Sequence, residues 1–208
     1  MKSLGDNAFH LATAIAANAY LVEGRRGLIL IDPGLAPNVN RIARELVHHG
    51  LSPFHVTDIL LTHYDPDHAG SADTWAHRTG ARVWIGAADA AILRGEAKPP
   101  RTPFRRTMAL AGRPKLPHNT TLIEDDTEVV DGIRAVPTPG HTPGHVAFVH
   151  RGVGFIGDAA RVSPEATLHP GPEFLDTDPV QAAASRALLQ TLGIVTICAG
   201  HSAPAMRI

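Results

Sequence analysis

The chain has 208 residues, 44% of them apolar, enough for one domain with a sizeable core. Lys plus Arg number 19 against 20 Asp plus Glu, a net charge of −1, so no global field directs the chain to nucleic acid or to an anionic membrane. One cysteine, Cys198, excludes an internal disulfide framework and suits the reducing cytoplasm, where the protein is expected to reside. It sits in the apolar run Ile194-Val195-Thr196-Ile197-Cys198 and reads as a buried structural thiol rather than a nucleophile.

From the N-terminus, Phe9 to Val22 is apolar with small residues at alternate positions, a texture close to a secretory signal. Lys2 alone charges the leader, Asp6 opposes it, and His10 and Asn18 interrupt the run, so an early strand is the better reading. Asn18 to Glu23 and Gly27 to Ile31 read as strands. Pro37 to His49 has an amphipathic helical period closed by Gly50. Val56 to Leu61 reads as a buried strand, Ser71 to Arg78 as a helix stopped by Gly80, and Ala81 to Ile85 as a strand.

Between about 94 and 119 prolines and the basic residues Arg94, Lys98, Arg101, Arg105, Arg106, Arg113 and Lys115 accumulate. This insertion reads either as a specificity element for an anionic substrate or as a solvated loop anchored by Phe104, Met108 and Leu110. Strands return at 122–124, 128–130, 133–136, 146–150 and 153–156, then a helix at 179–192 and a last strand at 194–198. Strands and helices on both sides of the insertion suggest an α/β fold with two sheets packed face to face and helices outside. No run approaches the ~18 apolar residues of a membrane span.

The chemistry concentrates in Thr62-His63-Tyr64-Asp65-Pro66-Asp67-His68, with Pro139-Gly140-His141, Gly157-Asp158 and Gly200-His201 as later stations. His63 and Asp65, two apart at a strand end, point to one side. Asp67 and His68 are adjacent and diverge, so one short loop can feed two metals. Singly, each residue has a plainer reading: Asp67 as a helix cap, Asp158 as a turn, His201 as a tail residue. Jointly, seven ligand-type side chains at strand ends point to a site for two ions sharing a carboxylate.

The order and spacing of these residues resemble the metallo-β-lactamase superfamily, whose usual signature is His-x-His-x-Asp-His followed by a glycine-borne His, a bridging Asp and a final His. Asn18-Ala19-Tyr20-Leu21-Val22 and Leu30-Ile31-Asp32-Pro33-Gly34 look like landmarks of the same family, so the resemblance covers nearly the whole chain. It implies a single domain over 1–208, a four-layer αββα sandwich with the metals at one edge. By that resemblance His63, Asp65 and His141 hold a first ion, Asp67, His68 and His201 a second, and Asp158 bridges them. Asp32 is either a group orienting a ligand or a turn aspartate.

Asp65 departs from the pattern, which has histidine there. A carboxylate is a harder ligand, which moves preference from zinc, the expected metal, towards manganese or iron; the alternative is that Asp65 does not ligate. The diiron branch carries a glutamate here but depends on a flavin domain for which this chain has no room. Hydrolysis of a small ester, lactone, thioester or amide by a metal-bridging hydroxide is therefore the expected chemistry, with Asp67 and Tyr64 as candidate catalytic residues. Tyr64 would either donate to a developing oxyanion or pack against its loop. The expected partner is a small, anionic substrate, with no nucleic acid and no membrane. Glyoxalase II enzymes carry a C-terminal helical extension, whereas this chain stops seven residues after His201. An iron-dependent oxidoreductase and a non-catalytic binding protein on the same fold are the alternatives.

Overall fold

The computed structural model describes residues 1–100, 102 and 113–207. Two large sheets form its centre. The first runs β1 (Lys2–Gly5), β2 (Ala8–Leu11), β3 (Ala19–Glu23), β4 (Leu28–Ile31), β5 (Val56–Leu60), β6 (Arg82–Gly86) and β7 (Thr120–Ile123), in that order. It is antiparallel as far as β4 and parallel from there on. The second sheet has the order β15 (Ala205–Met206), β14 (Thr196–Ala199), β11 (Val153–Gly157), β10 (Val146–His150), β9 (Ile133–Pro137), β8 (Thr127–Val130), with β11 and β14 parallel. A ribbon of β12 (Arg161–Val162) and β13 (Leu168–His169) completes the strands.

The strand period of two assigns each residue to a layer. In β4, Leu28 and Leu30 face a cluster under helices α1 (Asn38–His48), α3 (Ala72–Thr79) and α4 (Ala87–Arg94), while Ile29 and Ile31 face the other sheet. In the second sheet Phe148, Phe155 and Cys198 join Tyr20, Ile29, Ile31 and Leu60 between the sheets. Ile156, Ile197 and Ala199 turn outward to Leu189 of helix α5 (Pro179–Thr191). The result is the expected αββα sandwich. Cys198 is fully buried, and burial pushes its thiol pKa up, which leaves it inert as a nucleophile.

Helix α1 shows why local pattern alone is incomplete. Val39, Ile42 and Leu46 form its apolar face, but Asn38 and Glu45 are buried too. They satisfy backbone groups of the preceding turn: Glu45 accepts from Ala12 and Thr13 N–H at 2.9 and 3.0 Å, and Asn38 exchanges hydrogen bonds with Ile15. That turn joins β2 to β3, so the N-terminal stretch 9–22 forms much of a hairpin inside the sheet.

Some boundaries differ from expectation. The β1–β2 hairpin, α4 and the β12–β13 ribbon carry weak periodic signals because they are short. Asp67 and His68 lie within a short helix, α2 (Pro66–Ala69), with Asp65 as its N-cap, rather than in irregular loop. Arg94, taken as the start of the insertion, closes α4, whose C-cap Gly95 is left-handed at φ +78°. Within that insertion Arg101, Phe104, Arg105, Arg106, Met108 and Leu110 lie outside the described residues.

Candidate metal centre

His63 follows β5, His141 follows β9, Asp158 follows β11 and His201 follows β14, so four strand ends deliver ligands to one edge of the sandwich. A hydrogen bond from Val146 N–H to Thr62 C=O, 2.8 Å, ties the two sheets together there. His63, Asp65 and His141 form one group and Asp67, His68 and His201 another, each with its ligand atoms within 4.8 Å of one another. Asp65 Oδ2 lies 3.4 Å from His63 Nε2 and 3.3 Å from His141 Nε2. His201 Nε2 lies 3.3 Å from both Asp67 Oδ2 and Asp158 Oδ2. Asp158 reaches across: its Oδ2 is 3.7 Å from His141 Nε2 and its Oδ1 is 3.5 Å from His68 Nε2.

Groups behind the ligands fix which nitrogen faces the site. Asp32 Oδ2 accepts from Thr62 Oγ1 at 2.6 Å and from His68 Nδ1 at 2.8 Å, while Oδ1 accepts from Thr62 N–H. The Thr62 hydroxyl proton is thereby committed to Asp32, so His63 Nδ1, 3.0 Å away, carries its own proton and donates to Thr62 Oγ1. Both rings then present Nε2 to the site, as a metal-binding imidazole requires. Asp32 adopts φ +48°, in the left-handed region that aspartate tolerates. His141 is held from behind by Asp176, 3.4 Å from its Nδ1, with Arg186 3.9 Å beyond.

Two glycines make the close packing possible. A Cβ at Gly200 would collide with Asp158 Oδ1 and stand 2.7 Å from His68 Cε1. One at Gly157, at φ +48°, would meet Thr62 Oγ1 at 2.5 Å and His145 Nε2 at 2.8 Å.

The electrostatics are those of a cation site. Burial works against the charge on Asp158, but the positive charge of His68 and the hydrogen bond from His201 hold it well below the usual carboxylate range. Hydrogen bonds to Asp158 and then Asp67 push His201 up to about 10. For His68, burial lowers the value, yet Asp158 and Asp32 outweigh it and raise it to about 9. His63 Nε2, His68 Nε2 and Asp158 Oδ1 are buried with no hydrogen-bond partner among the described residues. Ligand-type atoms left without partners in this way, converging in groups of imidazole and carboxylate, fit a divalent cation that would displace the protons they carry.

A cleft opens onto His141, Asp158 and His201, walled by Ala160, Arg161, Pro172 and Leu175.

Sequence comparison agrees with this geometry: the metallo-beta-lactamase superfamily model matches residues 12–201. The chain belongs to the metallo-β-lactamase superfamily. It is similar to the uncharacterized protein YobT of Bacillus subtilis (strain 168), 30% identical over 88% of this chain and 82% of that one. It is also similar to the hydroxyacylglutathione hydrolase of Fuscovulum blasticum, 31% identical over 95% of this chain and 63% of the enzyme. Among solved structures, the di-iron-bound form of TTHA1623 superposes with a TM-score of 0.70 at 27% identity, over 91% of this chain and 89% of that one. The protein is accordingly a superfamily metallo-hydrolase.

The seven candidate side chains converge, Asp65 included, and Asp32 is hydrogen-bonded to His68, one of them. Tyr64 does not line the cleft. Its ring is 8% exposed and packs in the cluster beneath α1 and α3, because a residue between two site-facing neighbours at a strand end points the other way.

Three further residues escaped sequence reasoning. Asp176 supports His141. His145, fully buried and stacked on His63 at 5.3 Å, donates Nδ1–H to Thr138 Oγ1 and accepts the Asp158 backbone N–H on Nε2 at 3.2 Å. Burial, then the neighbouring charge on His63, lowers its pKa well below the usual value and keeps it neutral for that task. Asp89 contacts both ligand loops. The one sequence signal was His145 itself, in the glycine-rich run from Pro139 to His145.

Proposed function

We propose that the protein is a two-metal hydrolase acting on a small anionic ester, lactone, thioester or amide. The observation that carries this reading is Asp158, whose two carboxylate oxygens stand within 3.7 Å of nitrogens belonging to both ligand groups. Two divalent ions, zinc in the first instance and manganese or iron as alternatives, would supply Lewis acidity and a bridging hydroxide as nucleophile. The chain's own groups then hold the ligands in register, Asp32 and Asp176 from behind and His145 through the Asp158 backbone. Asp67, whose side chain is 25% exposed, would serve the second ligand group as an ionised carboxylate and orient the attacking water at the mouth of the site.

The cleft supports the anionic character of the substrate. Arg161 lines it, and its guanidinium makes no ion pair or hydrogen bond among the described residues. The ribbon that carries it is tied to the His201 loop by Val162 N–H to Ser202 Oγ, 3.1 Å. The apolar wall of Ala160, Pro172 and Leu175 suits a short acyl chain. No nucleic acid or membrane partner is part of the reading, and a cytoplasmic location accompanies the unpaired Cys198.

Elemental analysis of the purified protein, followed by a panel of charged and neutral acyl compounds, tests the proposal. About two ions per chain and turnover are expected, and Asp158→Ala should lower occupancy at both positions and abolish turnover. Wild-type metal content and activity in that variant would refute it. An iron-loaded oxidoreductase is the second reading, favoured by the carboxylate Asp65 and by the resemblance to di-iron TTHA1623. Iron together with oxygen uptake and no hydrolysis would select it.

A further inference from the structure

The metal loops meet at a residue with no place in the ligand set. Asp89 lies in the first turn of α4 and is completely buried. Its Oδ2 accepts from Tyr64 N–H at 3.0 Å and from Thr142 Oγ1 at 2.7 Å, and its Oδ1 accepts from Gly144 N–H at 2.7 Å. Tyr64 lies between His63 and Asp65; Thr142 follows His141. One carboxylate therefore grips both loops that carry the first group by three hydrogen bonds, from the backbone N–H groups of Tyr64 and Gly144 and from the Thr142 hydroxyl.

The approach is as tight as backbone allows. A Cβ at Gly144 would collide with the Asp89 backbone and stand 2.8 Å from its Oδ1, and a Cβ at Gly86 would collide with Gly144 C=O. The start of α4 is thus pressed directly on the His141 loop, and both positions require glycine.

Charge type matters as well as shape. Three donors converge on two oxygens, which an ionised carboxylate can accept in full. An amide of the same shape cannot. Whichever way it is turned, its NH₂ faces a donor and leaves a backbone N–H without an acceptor, a substantial cost in a buried position. Asp32 plays the corresponding part for His68 in the second group.

We propose that Asp89 is the positioning residue of the His63–Asp65–His141 ion, setting the separation of the two loops that deliver those ligands, while Asp32 acts directly on His68 and reaches His63 only through the Thr62 hydroxyl. The assignment rests on the two-ion reading. It makes metal affinity at one position, not at both, depend on a residue that touches neither metal nor substrate.

The test is zinc titration against a chromophoric chelator in two backgrounds. His201→Ala disables the second group and His141→Ala the first. In the His201→Ala background, adding Asp89→Asn should weaken the remaining ion by about 10–100-fold, the range for partners that orient metal ligands. In the His141→Ala background the same change should move affinity less than about twofold, as for independent sites. Equal losses in both backgrounds, or none in either, would overturn the proposal. If Asp89→Asn does not fold, Thr142→Val removes one bond and should show the same asymmetry on a smaller scale. A wild-type protein that binds a single ion would defeat the two-ion reading separately. Asp89 then stands or falls on whether Asp89→Asn weakens that ion.

Discussion

Asp32 Oδ2 accepts a hydrogen bond from His68 Nδ1 at 2.8 Å, and the same oxygen takes the hydroxyl proton of Thr62. A single buried carboxylate therefore sets the tautomers of two metal-facing histidines, one in each ligand group. Asp32→Ala should lower metal affinity by about 10–100-fold. It should also strand Thr62 N–H, at a cost of roughly 1–3 kcal/mol in stability. Metal titration and thermal unfolding of the variant check both; unchanged affinity would reduce Asp32 to a turn residue.

Gly200 is the tightest point of the second group. Gly200→Ala puts a methyl against Asp158 and His68, so the expected result is loss of metal from the Asp67–His68–His201 position and at least a tenfold drop in turnover, a shift of about 1.4 kcal/mol or more. Metal content per chain distinguishes this from misfolding, because the first position should remain loaded.

Asp65→His restores the usual superfamily ligand. Replacing a hard carboxylate by imidazole should raise the ratio of zinc to manganese taken up from an equimolar mixture. A ratio identical to wild type would indicate that Asp65 does not ligate.

Metal removal should be coupled to protons. With the ions stripped, His68 and His201, raised to about 9 and about 10, are protonated at neutral pH. Loading must displace those protons, so apparent affinity rises with pH until those values are passed; about two protons per fully loaded chain come from these histidines at pH 7, and about one more from the water that becomes the bridging hydroxide. A pH indicator in weak buffer counts them; zero release would contradict the pairing of these histidines with Asp158.

Glu45 supplies a stability test away from the site. Burial raises its pKa, but hydrogen bonds from the Met1 amino group, Thr13 and Ala12 outweigh this and hold it at about 2, below the ordinary 4.5. A depressed folded value means the contribution is present above about pH 4.5 and is lost as pH falls towards 2. Glu45→Gln should cost on the order of 1–2 kcal/mol at pH 7, with the gap to wild type closing in acid. Urea unfolding at pH 7 and pH 3 measures it.

The sequence by itself determined the layers and marked the candidate ligand positions. The unbroken apolar run Leu28-Ile29-Leu30-Ile31 declares a strand buried on both faces, and ligand-type residues beside glycine at successive strand ends mark a candidate metal edge. Both signals are local, written into neighbouring residues with a fixed period. Tertiary structure alone decided what stands behind the ligands. Asp32 and His68 are separated by 36 residues, Asp89 and Gly144 by 55, and nothing in the neighbourhood of Asp89 or Asp176 marks it as a partner of a ligand loop. Hydrogen bonds between distant segments have no period to read. They appear only when parallel strands and short helices bring separate loops to the same edge, where every buried donor must find an acceptor.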